Sequence, residues 1–261
     1  MKSTIIIASI FSLLLFNCKN NTEGTVEMAS KTSNMTPETP NPEEITIIPI
    51  QHASMILEYK DDVIYVDPVG GAEPYLDQKK PEYILITHIH ADHFDIKTLE
   101  SLVSASTTLI VPQAVKDKLP ALNVKEVLVM NNGDLKKLKA FTIEAIPMYN
   151  LRPEALKFHP KGLGNGYVLT LGDKRVYISG DTEDTPEMRH LKNIDIAFVC
   201  MNLPYTMTVE SAASAVLEFK PKKVYPYHYK GQDGMSDVEK FKSTVNKENP
   251  DIEVVQLDWY K

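Results

Sequence analysis

The sequence predicts an α/β protein in which two β-sheets are covered by helices. Three observations carry that expectation. Three short strand-like runs follow one another from residue 45, strand and helix patterns then alternate to the end, and 261 residues with 43% hydrophobic content suffice for one substantial core. A charged fraction of 24% is ordinary for a globular chain. The formal charge of -7 gives no general pull toward a phosphate backbone, so nucleic acid is not an expected partner.

Residues 1–18 read as a lipoprotein-type signal peptide. Lys2 supplies a short positive region, and residues 5–16 form an apolar run shorter than the roughly 20 residues of a membrane-spanning helix. The run ends at Leu15, Phe16, Asn17 and Cys18, which resembles the lipobox of bacterial lipoproteins, although Asn17 departs from the usual small residue. That resemblance implies a lipid anchor at Cys18 and an exported protein held at a membrane, facing the periplasm or the cell surface of a bacterium. A cleaved secretory signal in which Cys18 has no role is the alternative. With Cys18 acylated, Cys200 has no intramolecular partner and reads as a small buried hydrophobe closing the apolar run 196–199. Residues 19–44, rich in Asn, Thr, Ser, Glu, Met and Pro, cannot bury enough surface to offset their entropy and read as a disordered tether. The globular domain is then residues 45–261.

Within it, residues 45–50, 54–59 and 63–67 are β-branched and aromatic runs, the last two separated by a hairpin turn at Lys60, Asp61 and Asp62. Residues 83–87 predict an apolar strand, 96–103 a helix, 108–111 a strand, 113–119 a helix and 124–130 a strand. Further strands are expected at 141–146, 167–171, 175–179, 195–199 and 223–227, with helices at 209–219 and 237–245. Val209, Ala212, Ala213, Val216 and Leu217 fall on one helical face. Gly70, Gly71, Gly162, Gly164 and Gly166 lack the spacing of a phosphate-binding loop and read as turn residues.

Three of the seven histidines lie in the string Thr-His-Ile-His-Ala-Asp-His at 87–93, after an apolar strand and before a helix. A loop at the end of a strand can aim His88, His90, Asp92 and His93 at one point. Neutral imidazoles with a carboxylate suit a divalent ion of intermediate softness such as Zn, Mn or Fe. A chance cluster of surface histidines is the bland alternative, and the strand-loop-helix setting argues against it.

This string resembles the H-x-H-x-D-H signature of the metallo-β-lactamase superfamily. The resemblance extends from about residue 45 to the end of the chain, through Ser179, Gly180, Asp181 and Thr182 after one strand and Pro226, Tyr227, His228 and Tyr229 after another. Gln51, His52, Ala53 and Ser54, with Val66, Asp67 and Pro68, are similar to elements of the branch containing ascorbate-6-phosphate lactonase and N-acylphosphatidylethanolamine phospholipase D. The resemblance implies a four-layered αββα sandwich of two mixed sheets flanked by helices. It implies two divalent metal ions, zinc first among them, with His88 and His90 on one, Asp92, His93 and His228 on the other, and Asp181 between them. One departure stands out: where the family places a further histidine, this chain reads Pro147, Met148, Tyr149, Asn150. His159 on the following loop is the nearest candidate, with Asn150 or Tyr149 as weaker oxygen ligands. Asp67 is the expected acceptor for the second nitrogen of a ligand imidazole.

The implied activity is metal-dependent hydrolysis, in which the ions make hydroxide available near neutral pH for attack on a small ester, lactone or phosphodiester. Asp92 would orient the nucleophile and His52 would contact the substrate or donate a proton. Tyr149, Asn150, Arg152, Tyr205 and Tyr229, with Lys157 and Lys161 nearby, are candidates for binding a small anionic substrate. A phosphodiesterase acting on lipid or nucleotide is a rival expectation, as is a non-catalytic metal- or partner-binding lipoprotein. The sequence leaves the oligomeric state open.

Overall fold

A computed structural model describes residues 44–260, and the expected signal peptide, the anchor at Cys18 and the tether up to residue 43 lie outside the described residues. Six strands form the first sheet in sequence order: β1 (Thr46–Gln51), β2 (Ser54–Tyr59), β3 (Asp62–Val66), β4 (Tyr83–Leu85), β5 (Thr108–Val111) and β6 (Glu126–Val129). β1 to β3 pair antiparallel, as their tight turns require, and β3 to β6 pair parallel through crossovers. Two of these crossovers carry helices, α1 (Ile96–Leu102) and α2 (Gln113–Lys116).

The second sheet repeats this logic. Its seven strands are β7 (Leu135–Lys137), β8 (Thr142–Met148), β9 (Gly164–Leu171), β10 (Lys174–Ile178), β11 (Ile196–Cys200), β12 (Lys223–Tyr227) and β15 (Glu253–Val254). A small hairpin, β13 (Lys230–Gly231) and β14 (Gly234–Met235), stands apart from it. The helices are α3 (Pro186–Arg189), α4 (Val209–Phe219) and α5 (Val238–Glu248). β7 to β10 pair antiparallel and β10, β11, β12 and β15 parallel.

Alternation along the strands explains the layering. On β2, Met55 and Leu57 join the core shared with the second sheet, while Ile56 between them faces the other way and packs with Leu99 and Leu102 of α1. Ile64 and Val66 on β3 face the shared core, and Tyr65 faces the helices. Both faces of the first sheet are therefore buried. The expected αββα sandwich of mixed sheets is what the chain forms.

The expected elements shift only at their ends. The strand at 83–87 stops at Leu85, because the Thr87 amide bonds to Asp67 Oδ1 at 2.7 Å instead of to a neighbouring strand. The helix at 113–119 is α-helical only over Gln113–Lys116. β7, whose three residues are all exposed, shows no apolar alternation in the sequence. Gly164 and Gly166 correct the turn reading: both lie in β9, where a Cβ on Gly166 would come within 2.8 Å of the Ser179 carbonyl oxygen, and one on Gly164 within 2.4 Å of Met148 Cε. They allow close approach of strands and side chains, not a turn.

Candidate metal centre

Every residue of the 87–93 string follows β4, and the remaining site residues leave the same end of the two sheets. His52 lies in the β1–β2 turn, Asp67 follows β3, Asp181 follows β10, Asn202 follows β11 and His228 follows β12. Three of these, His52, Asp67 and His228, adopt positive φ angles of 52°, 44° and 45°. Non-glycine residues avoid that region, so each is held there by its surroundings at a cost of about 1–3 kcal/mol.

Two sets of donor atoms meet at Asp181. In the first, His88 Nε2 lies 3.0 Å from His90 Nδ1, His159 Nε2 lies 3.2 Å from the same atom, and His159 Nε2 lies 3.4 Å from Asp181 Oδ2. In the second, His93 Nε2 and His228 Nε2 are 3.0 Å apart and lie 3.4 and 3.1 Å from Asp181 Oδ1. Asp92 Oδ2 closes this set at 3.5 Å from His228 Nε2 and 4.0 Å from His93 Nε2. A tetrahedral ion with ligands about 2.1 Å away needs donor atoms separated by about 3.4 Å. Both sets have that dimension, and the carboxylate of Asp181 offers one oxygen to each.

The hydrogen bonds around the sets fix which ring nitrogen is free. Asp67 Oδ2 accepts from Thr87 Oγ1 and from His93 Nδ1, both at 2.7 Å, so His93 turns its Nε2 to the centre. Thr87 Oγ1, having donated to Asp67, accepts from His88 Nδ1 at 3.0 Å, which frees His88 Nε2. His159 Nδ1 donates to the Tyr205 carbonyl at 3.2 Å, freeing its Nε2. Nitrogen lone pairs facing one another at 3.0 Å cannot satisfy each other. A cation between them can. The buried Asp181 Oδ1 and His228 Nδ1 have no hydrogen-bond partner among the described residues, and a metal ion would supply one to Asp181 Oδ1.

Electrostatics agree at His88, His90 and His228, whereas His93 in the metal-free site is held protonated, so an ion at its Nε2 would have to displace a proton. Burial, reinforced by the charge of His93, holds His88 well below the usual histidine range, and burial lowers His90 and His228 as well. Burial alone would also lower His93, but the carboxylates of Asp181 and Asp67 overcome it and hold this ring well above its ordinary value. Asp181 stays ionised despite burial because His228 and His93 lie against it, and Asp92 is lowered against its own burial by His52 and His93.

The structure brings His159 Nε2 beside His90 and Asp181, and it turns the Asn150 and Tyr149 side chains to other partners. Asn150 Nδ2 donates to the carbonyls of Ala155 and Tyr205 at 2.9 and 2.6 Å, which shapes the His159 loop. Tyr149 Oη donates to Glu187 at 2.9 Å, and Lys161 also pairs with Glu187. Arg152 is engaged with Glu183 Oε1 at 2.5 Å and with the carbonyls of Pro204 and Thr206. Tyr229 packs edge-on against Tyr260, 4.9 Å between ring centroids. Tyr149, Arg152 and the Asn150 Nδ2 group thus have protein partners, whereas Asn150 Oδ1 is buried without one among the described residues. Tyr205 alone of the expected substrate contacts lines the cavity of about 360 Å³ at the centre, with His90, Asp92, Phe158, His159, Asp181 and Asn202. The Thr185 side chain caps α3 by accepting from the Met188 amide.

Three residues absent from the sequence reading complete the surroundings. Glu183 accepts from the backbone amides of Leu151 and Arg152, each at 2.8 Å. Tyr260 Oη accepts from the Lys230 amide at 3.0 Å and shares a hydrogen bond with His52 Nδ1 at 2.9 Å, and His52 Nε2 lies 3.4 Å from Asp92 Oδ2. Asn202 lies beside His228. No motif marks these positions in the sequence, since each acts through tertiary contacts between distant loops.

A fold of two mixed sheets with this donor set at one edge defines a metallohydrolase centre, and the comparisons place the chain accordingly: residues 46–228 match the model described as Beta-lactamase superfamily domain, and the chain belongs to that superfamily. It is a metal-dependent hydrolase of the superfamily. A UPF0173 metal-dependent hydrolase of Nanoarchaeum equitans is 30% identical over 183 residues, 68% of this chain and 80% of that protein. The crystal structure of a candidate metal-dependent hydrolase from Parabacteroides distasonis is 40% identical with a TM-score of 0.74, covering 83% of this chain and 94% of that one. Igni18, a metallo hydrolase from Ignicoccus hospitalis, has the same fold at 21% identity and a TM-score of 0.69, covering 83% and 96% of the two chains.

Proposed function

We propose that this hydrolase is binuclear, holds zinc, and cleaves a small ester, lactone or phosphodiester. The observation that carries the reading is Asp181, whose two carboxylate oxygens face two separate sets of donor atoms. His88, His90 and His159 would hold the first ion, and Asp92, His93 and His228 the second. Bound there, such a pair supplies a hydroxide nucleophile at neutral pH and polarises the group under attack. The protein does the rest. Asp67 and Thr87 keep the imidazoles in the ligating tautomer, and His52 holds a proton at Nε2 beside Asp92, where a leaving oxygen or nitrogen can take it.

Protein lacking residues 1–44, analysed for metals at near-neutral pH, is expected to carry about two zinc ions per chain, falling to about one in His159→Ala and below one in Asp181→Ala. Turnover of a panel of p-nitrophenyl esters, lactones and bis-p-nitrophenyl phosphate then separates the substrate classes. Activity on the phosphodiester alone would favour the phosphodiesterase reading. One metal per chain, unchanged in His159→Ala, would end the binuclear reading.

Export and anchoring through Cys18 belong to the same proposal and rest on residues 1–18. The full chain is expected in the membrane fraction of a bacterial cell and Cys18→Ala in the soluble fraction. Equal partition of the two would remove the anchor.

A further inference from the structure

We infer that a second cavity, behind His52, receives the half of the substrate that leaves, and that this half carries a negative charge on an apolar body. The inference rests on the reading of His52 as proton donor given above. The cavity has about 720 Å³, twice the volume of the one at the metal centre. His52 lines it, while Asp92, 3.4 Å from His52 Nε2, lines the cavity at the centre, so this pair forms the wall between the two. Three segments distant in the chain build it: the β1–β2 turn with Ile50 and His52, the β13–β14 hairpin with Lys230 and Met235, and Trp259 with Tyr260 near the C-terminus. Their backbones are locked together. The His52 amide donates to the Trp259 carbonyl at 3.2 Å, the Lys230 amide to Tyr260 Oη at 3.0 Å, and the Tyr260 ring stands edge-on to His52 and Tyr229, 5.6 and 4.9 Å between centroids. The space is therefore formed before a ligand arrives.

Its lining selects the occupant. Lys230 is exposed, its ammonium has no hydrogen bond or ion pair among the described residues, and no carboxylate lines the cavity. Trp259 and Ile50 give apolar walls, and Met235 remains 53% exposed, a large apolar side chain that folding leaves uncovered. A carboxylate or phosphate on an aromatic or alkyl body meets both features. Position gives the role. Hydrolysis of an ester adds water across one C–O bond: the acid half keeps the new oxygen, and the alcohol half takes a proton. The His52 ring lies 3.9 Å from that of His228 between centroids, so a proton given by His52 is given at the edge of the second donor set. An oxygen that takes it stands against His52, and the group it carries extends into the space that His52 lines.

Trp259 is the one tryptophan of the chain, so its fluorescence reads occupancy of this cavity directly. The probe is benzoate, with benzamide as its uncharged counterpart, titrated into the full chain in detergent, both zinc-loaded and chelator-treated. Benzoate is expected to change the fluorescence in both forms and to bind more tightly than benzamide. Lys230→Ala is expected to weaken benzoate about fivefold and leave benzamide unchanged, and Lys230→Arg to restore it. On the zinc-loaded protein, p-carboxyphenyl acetate is expected to exceed p-carbamoylphenyl acetate in kcat/KM, after correction for their rates with hydroxide in water, and Lys230→Ala to remove that preference. No response to benzoate overturns the inference. So does a response confined to the zinc-loaded form, which would put the carboxylate on the ions. A preference that survives Lys230→Ala while benzoate binding falls overturns the assignment to the leaving half. Turnover of esters without any response to benzoate removes the cavity and leaves the hydrolase reading intact, whereas a response with no turnover of any ester removes that reading, and the leaving half with it.

Discussion

Asp67 offers no atom to either donor set, yet it determines the state of the ring at the centre of one of them. Its two oxygens accept from the Thr87 amide, the Thr87 hydroxyl and His93 Nδ1, each at 2.7 Å, with the residue wholly buried. Removing it frees both the His93 tautomer and the backbone of the histidine loop. Asp67→Ala is expected to weaken zinc binding ten- to a hundredfold, read from a competitive chelator titration, and Asp67→Asn to lie between it and wild type. Retention of full affinity in Asp67→Ala would show that the ring orients itself. The role of Asp67 was legible in the sequence because an acid at a strand end ahead of a histidine cluster has few other uses. His159 was legible only by elimination, since the strand ahead of it ends in Tyr149 and Asn150. Asn202, Glu183 and Tyr260 were not legible, because their meaning depends on which loops meet.

Loops carry the site, and their shape depends on side chains that lock backbone. The segment bearing His159 has no regular strand or helix between Met148 and Gly164, and it is held instead by Glu183, which gathers the amides of 151 and 152 and the Arg152 guanidinium. Glu183 is 2% exposed, so its loss leaves three donors without an acceptor. Glu183→Ala is expected to lower stability by about 3 kcal/mol in denaturant unfolding and to cost the ion held with His159 before the one held with His93. Equal loss of both ions would mean that the loop does not act separately. At this scale the sequence spoke clearly for strands with alternating apolar residues and for α4, whose buried Val209, Ala212, Ala213 and Val216 repeat at helical spacing. It was silent on β7 and β15, short edge strands whose pairing comes from a neighbour and not from their own pattern.

At the scale of the molecule, the site joins the two sheets. Its acid response follows from the histidines. His88, His90 and His228 are lowered, so below about pH 6.5 the unfolded chain binds protons that the fold refuses, and stability falls as pH drops through that window. His93 is raised and works the other way: its contribution is present below about pH 6.5 and is lost as pH rises through its folded value. Three against one, metal-free protein is expected to melt at progressively lower temperature from about pH 7 to about pH 5, and the extra stability given by zinc is expected to shrink over the same range as protons compete for the ligands. A melting temperature of the metal-free protein that is flat or rising toward acid would contradict this. The first sheet supplies His88, His90, Asp92 and His93, and the second supplies Asp181 and His228, with His159 on the loop between its strands. Ions held across that boundary, as proposed above, would tie together stretches of chain as far apart as residues 88 and 228, while the one cysteine among the described residues is buried and unpaired. The centre is in that sense a clasp as well as a reactor, a cross-link that opens to acid or a chelator where a disulfide would open to a reductant.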